Sequence, residues 1–335
     1  MKIYFFENSA EDNAIVSSLI LGHELFFSDK KLNVENADSA ADADIISVFV
    51  NSVVNKEILD RLPNLKHIST RSTGYDHIDV DNAKQRGISV SYVPSYGSET
   101  VAEFTFALIL ALNRKIFPAY HQLRESTDYN ISNLGGFELK GKTLGIIGTG
   151  RIGKNVARIA KNGFQMNVIA FDAFKDEGFA CEMGFEYVDL DSLLSQSDII
   201  SLHVPYTNDT HHLLNKENMG KIKKGAYLIN TARGEIVETE ALLQSLHDGI
   251  LGGAGLDVLE GERPLKEEME IFSDRIPDNE NDVKAIVQDH VLIDMPNVIV
   301  TPHIAFFTAE AKSEILKTAC ENIDSFIFGK AGNNI

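Results

Sequence analysis

An α/β protein with two doubly wound parallel-sheet domains is what this sequence predicts. Short runs rich in Ile, Val and Phe recur along it, each followed by a longer and more polar stretch. Continuous apolar strands alternating with helices indicate parallel sheets covered on both faces. At 335 residues the chain exceeds one ordinary core, and about two domains are expected. It also echoes itself: DIISVFV at Asp44 returns as DIISLHV at Asp198, and ISTRSTG at Ile68 loosely resembles INTARG at Ile229.

In the first hundred residues the strand runs are KIYFFE, HELFFS, DIISVFV, LKHISTRS and ISVSYV. From residue 143 they are TLGIIG, NVIAFD, DIISLHV, AYLINTA, GAGLDV and NVIVTPH. Their shortness and β-branching favour strands over buried helix. Between the two sets, residues 98–123 are apolar around much of a helix, which predicts one buried helix at a domain or subunit interface and a homodimer. Residues 260–294 are strongly acidic and read as a surface excursion with helical content, ended by a Pro296-Asn297 turn.

Apolar residues make up 44% and charged residues 24%, enough apolar surface for two cores. The net charge of −18 argues against nucleic acid and anionic membranes, and requires local positive groups for any anionic ligand. Cys181 and Cys320 form no metal or redox spacing, and His211-His212 lacks a third ligand at sensible spacing, so no metal is expected. The start reads as no signal peptide, and the longest apolar run, 104–112, is far below the ~20 residues that span a bilayer. A cytoplasmic protein is the expectation.

Gly148, Gly150 and Gly153 form G-T-G-R-I-G between the strand TLGIIG and a helical stretch, KNVARIAKNGF. The next strand, NVIAFD, ends on Asp172, nineteen residues past Gly153, where ~20 is expected of a dinucleotide site. The glycines serve a tight turn, close approach to a pyrophosphate and helix–strand packing, and the helix N-terminus supplies free N–H groups. Asp172 should bind the adenosine ribose hydroxyls and repel a 2′-phosphate, which favours NAD over NADP; nearby Lys175 leaves some NADP use open.

Hydride addition to a ketone also needs a cation, a proton donor and a partner for that donor. Arg233 follows AYLINTA, Glu262 follows GAGLDV and His303 closes NVIVTPH, all just past C-terminal strand ends, where open sheets bind ligands. The blocks GTGRIG, SLHVPYTNDTHHLLN, LINTARGEIVETEAL, GAGLDVLEGE, NVIVTPHIAFFT, RSTGYDHID and VPSYGSETVAEF together resemble the D-isomer-specific 2-hydroxyacid dehydrogenase family over nearly the whole chain. The resemblance implies a Rossmann-type NAD domain at 100–303 and a flavodoxin-like substrate domain from 1–99 and 304–335. By it, Arg233 binds the substrate carboxylate and carbonyl, His303 is the acid/base, and Glu262 holds His303 and favours its protonated form.

It also implies cofactor contacts at Arg151, Ile152, Val204, Pro205, Thr210, Thr231, Ala232 and Asp257, the last to the nicotinamide carboxamide, and substrate contacts from the backbone near Thr73 and Gly74. The similarity is greatest to the branch that interconverts pyruvate and D-lactate. Phe306 stands where many relatives have small residues, and Tyr96 matches a substrate-lining tyrosine, so the pair would close around a methyl group. The alternatives are another 2-oxo acid, such as hydroxypyruvate, glyoxylate or a larger apolar one, and a non-catalytic NAD(H) sensor.

Overall fold

The computed structural model describes residues 1–260, 262, 280–330 and 332–335. They form two compact units, residues 1–97 with 307–335, and residues 98–306.

The first unit holds β1 (Lys2–Phe5), β2 (Glu24–Phe27), β3 (Ile45–Val48), β4 (His67–Thr70) and β5 (Ser89–Ser91), in the order β2-β1-β3-β4-β5. All pairings are parallel. Alternation along a strand sends successive side chains to opposite faces. Ile3 and Phe5 therefore join one core with α11 (Ala309–Ile327), through Leu316 and Ile323, while Tyr4 and Phe6 face the other core. Just past β4, Arg71 is fully buried and its guanidinium donates to Glu7 O at 3.0 Å and to Phe6 O.

The second unit holds β6 (Thr143–Ile147), β7 (Asn167–Phe171), β8 (Glu186–Tyr187), β9 (Ile199–Leu202), β10 (Ala226–Asn230), β11 (Leu251–Leu256) and β12 (Val298–Val300). Their order is β12-β11-β10-β9-β6-β7-β8, again parallel throughout. The order reverses between β6 and β9, the switch point at which such sheets bind dinucleotides. Thus the α/β class and the parallel sheets are as the sequence predicts; only the short β8 lies outside the runs read as strands.

The repeated DIIS motif has the same job in both units. Asp44 accepts the Lys2 N–H at 2.9 Å and pairs with Lys66 at 2.6 Å. Asp198 accepts the Thr143 N–H at 2.9 Å and pairs with Lys223 at 2.7 Å. Each aspartate satisfies the free N–H at the start of its unit's first strand, where the ladder offers no partner.

The helix expected over 98–123 is two helices, α4 (Ser98–Asn113) and α5 (Ile116–Ser126). Lys115 between them takes a left-handed φ of 53°, which a continuous helix excludes. Only α4 is buried, and its apolar residues belong to the unit's own core, with Leu108 and Leu112 lying over β11. By contrast, α5 has no buried residue and exposes Ile116, Phe117, Tyr120 and Leu123. In the acidic stretch, α10 (Glu280–Asp294) precedes the turn at Pro296, while 263–279 lie outside the described residues. No helix among the described residues is long and apolar enough to cross a membrane.

Candidate active site

At the end of β6 the chain turns through Gly148, whose φ of 96° is left-handed. A Cβ there would also lie 2.7 Å from the His203 carbonyl. Gly153 opens the way for α6 (Arg151–Arg158) to approach the strand, since a Cβ would lie 2.0 Å from Gly148 O. Gly150 differs: a Cβ would meet nothing within 4 Å, and as the residue before α6 it makes no side-chain cap. The turn thus leaves open space beside uncapped N–H groups, which fits a pyrophosphate. Arg151 is exposed and Ile152 half-buried on the first turn of α6.

Asp172 follows β7 beside this turn and accepts the Thr149 N–H at 2.5 Å. Val204 and Pro205 follow β9 across the switch point, and Thr210 closes their loop by donating to Pro205 O at 2.7 Å. Thr231 is buried after β10, its hydroxyl 3.2 Å from that of Thr105, and the Ala232 N–H donates to Asn230 Oδ1 at 3.0 Å.

Arg233 comes next and is half-buried, with Nη1 donating to Ala232 O at 2.7 Å. A Cβ on Gly234 would lie 2.1 Å from the Leu259 carbonyl carbon, so only glycine lets this turn close against the chain that leads into Glu262. His303 Nδ1 and Glu262 Oε2 are 3.1 Å apart, and Glu262 Oε1 accepts the Leu259 N–H at 3.2 Å. His303 has a left-handed φ of 56°, a costly conformation for a residue with a Cβ. What holds it is Asp257: the backbone carbonyl accepts the His303 N–H at 3.0 Å, and the carboxylate accepts Thr301 Oγ1, Ile304 N and Ala305 N at 2.5, 3.0 and 2.8 Å. Burial raises the Asp257 carboxyl above its ordinary range, with these donors working against the rise. Phe306 sets its ring edge-on to His303, centroids 6.3 Å apart.

The structure therefore brings Arg233, Glu262, His303, Asp257 and Phe306 together with the glycine turn in one unit. Thr73, Gly74 and Tyr96 belong to the other unit, after β4 and β5. There the Thr73 hydroxyl donates to Val93 O at 2.8 Å, and Gly74 O accepts the Ser72 hydroxyl at 2.6 Å.

A family model described as the NAD-binding domain of D-isomer specific 2-hydroxyacid dehydrogenases matches residues 106–305. The chain belongs to this family. The D-lactate dehydrogenase of Escherichia coli is 38% identical over 318 residues, 93% of this chain and 92% of the relative. A glyoxylate reductase of Thermofilum pendens is 40% identical over 293 residues, 86% and 80% of the two chains. Among solved structures, a D-lactate dehydrogenase from Aquifex aeolicus complexed with NAD and lactic acid superposes with a TM-score of 0.86 at 37% identity, covering 98% of this chain and 96% of that one. A D-2-hydroxyacid dehydrogenase is an oxidoreductase, and its cofactor here is NAD.

Around this dehydrogenase's His303 lie acids that the sequence reasoning passed over. Glu260 accepts Thr239 Oγ1 at 2.6 Å and lies 2.6 Å from His212 Nε2; these contacts overcome its burial and lower its carboxyl. Glu235 is raised by burial, with Glu262 and Glu260 adding to the rise and Arg233 opposing it. Asp289, on α10, is 1% exposed, and neither of its oxygens has a hydrogen-bond partner among the described residues. Burial, with Glu260 and Glu262 close by, pushes it up to about 7. Their place two residues from Arg233 and from Glu262 was the available signal for Glu235 and Glu260; Asp289 had none.

Proposed function

We propose that the protein is an NAD-dependent D-lactate dehydrogenase, reducing pyruvate to D-lactate and running the reverse reaction. The observation that carries this is the Glu262–His303 pair at 3.1 Å beside the Arg233 turn. In this reading Arg233 pairs with the substrate carboxylate and polarises the 2-oxo group. Glu262 occupies Nδ1 of His303, which leaves Nε2 to give its proton to the carbonyl oxygen, and the carboxylate stabilises the imidazolium until it does. Bound NADH supplies the hydride. Asp257 keeps the 301–305 turn in place and offers its remaining lone pair to the carboxamide. Gly148, Gly150, Arg151, Ile152 and Gly153 take the pyrophosphate, Asp172 the ribose, and Val204, Pro205, Thr210, Thr231 and Ala232 line the rest. Thr73 and Gly74 would offer backbone N–H groups to the carboxylate, and Tyr96 would line the methyl side.

Phe306, edge-on to His303, supports a small apolar side chain on the substrate. The glyoxylate reductase relative favours a second reading, glyoxylate or hydroxypyruvate. Initial rates with NADH across pyruvate, hydroxypyruvate, glyoxylate, 2-oxoisocaproate and phenylpyruvate decide between them, with product chirality measured. Pyruvate should lead and give the D isomer; an L product would refute the proposal. The exposed apolar face of α5 supports a homodimer, and the unpaired thiols of Cys181 and Cys320 fit a cytoplasmic setting. Replacing Phe117 and Tyr120 with Lys should then halve the mass measured by light scattering; a wild-type mass unaffected by the change would refute α5 as the interface.

A further inference from the structure

The hydrogen bonds around Asp172 run in one direction. Its Oδ2 accepts both the Thr149 amide at 2.5 Å and the Thr149 hydroxyl at 2.8 Å, and Oδ1 accepts the Phe174 N–H at 2.8 Å. A threonine hydroxyl has one proton, and a carboxylate only accepts. The 2.8 Å contact between the Thr149 and Tyr187 hydroxyls therefore runs from tyrosine to threonine. The tyrosine oxygen accepts in turn from the Asp176 N–H at 3.0 Å. The chain is Asp176 N–H to Tyr187 O–H to Thr149 O–H to the Asp172 carboxylate, each donor polarising the next. Thr149 is 4% exposed, so little water competes for its hydroxyl. The Tyr187 ring also lies under Lys175, whose Nζ is 5.9 Å from the ring centre.

Tyr187 thus touches, directly or through Thr149, the two charged groups with opposite preferences at the ribose. The carboxylate repels a 2′-phosphate and the lysine attracts one. We propose that Thr149 and Tyr187 are positioning residues for cofactor choice: they lock the Asp172 carboxylate in one rotamer and so select NAD against NADP. This rests on Asp172 being the ribose acid. Without the two hydroxyls, only the Thr149 and Phe174 amides hold the carboxylate, which then turns more readily away from a 2′-phosphate and leaves Lys175 to pair with it.

The test is the ratio of the NADPH and NADH dissociation constants, titrated by nucleotide fluorescence on the purified protein. Thr149→Val keeps the shape and the amide donor, and Tyr187→Phe keeps the ring under Lys175, so each reads a hydroxyl alone. Thr149→Val should lower the NADPH/NADH Kd ratio on the order of tenfold, about the effect of one hydrogen bond to a charged group, and Tyr187→Phe, which removes a neutral hydrogen bond one step back, by about fivefold. Thr149→Ser should restore it. Asp172→Ala is the control for the underlying reading. If it lowers the ratio while Thr149→Val and Tyr187→Phe stay within twofold of the unaltered protein, the positioning role is overturned and the ribose assignment stands. If Asp172→Ala leaves the ratio unchanged, the ribose assignment falls and this inference with it.

Discussion

Asp289→Asn should make the protein more stable, and more so as the pH rises. The carboxyl is 1% exposed, its oxygens have no hydrogen-bond partner among the described residues, and its value is pushed up to about 7 from 3.8. In the folded chain Asp289 then keeps its proton up to about pH 7, whereas the unfolded chain loses it near 3.8. Between those values the folded state binds more protons, so raising the pH favours unfolding. The gap between 3.8 and about 7 amounts to a cost of about 4 kcal/mol, fully present only above pH 7. Roughly 2–3 kcal/mol of it develops between pH 5 and pH 8. Asparagine has the same shape and no proton to lose. In scanning calorimetry of the unit holding Asp289, that difference corresponds to roughly 5–10 °C. The melting temperature of Asp289→Asn, relative to the unaltered protein, should be higher at pH 8 than at pH 5 by that amount. An offset equal at the two pH values would refute the claim that Asp289 carries a proton into the neutral range.

Two further substitutions probe the reacting site. His303→Ala should lower kcat by roughly 10²–10⁴-fold while NADH still binds in a fluorescence titration; a near-normal kcat would remove His303 as the acid/base. Gly234→Ala forces a Cβ to within 2.1 Å of the Leu259 carbonyl carbon, so the Arg233 turn must move. Steady-state rates should show a raised KM for pyruvate together with a lowered kcat, and an unchanged KM would mean that the turn does not set the position of Arg233.

The parts of the site that could be read from sequence are those whose position follows from the ends of strands. Gly148, Asp172, Arg233 and His303 each stand at or just past the end of an apolar run, so the parallel-sheet rule placed them on one edge without knowledge of the packing. The two-helix break at Lys115 had a sign in Pro118 three residues on, which breaks or kinks a helix just before it, but the apolar pattern running through 98–123 masked it. Tyr187 lies 38 residues from Thr149 and on a strand of two residues, too short to register as a run. Asp289 sits in VQDHV, where a charged residue on a helix reads as solvated; its burial depends on what α10 packs against, which periodicity does not specify. The DIIS echo was legible as a repeat, while its function, capping the first strand of each sheet, needed the pairing of strands distant in sequence.

The net charge of −18 required local positive groups for an anionic ligand, and the structure makes that requirement sharper. Glu235 and Asp289 lie close enough to Glu260 and Glu262 for those two to raise both their carboxyls. With Asp289 holding its proton, the charge of this cluster rests on the remaining acids, and it opposes the approach of an anionic ligand. For the proposed reaction, the site therefore needs a cation whose charge does not titrate and whose fork can take a carboxylate in two hydrogen bonds. Arginine has both properties and lysine lacks the second. On the proposed reading, the same acids account for why an arginine, held by a glycine turn against the Leu259 backbone, stands at this site.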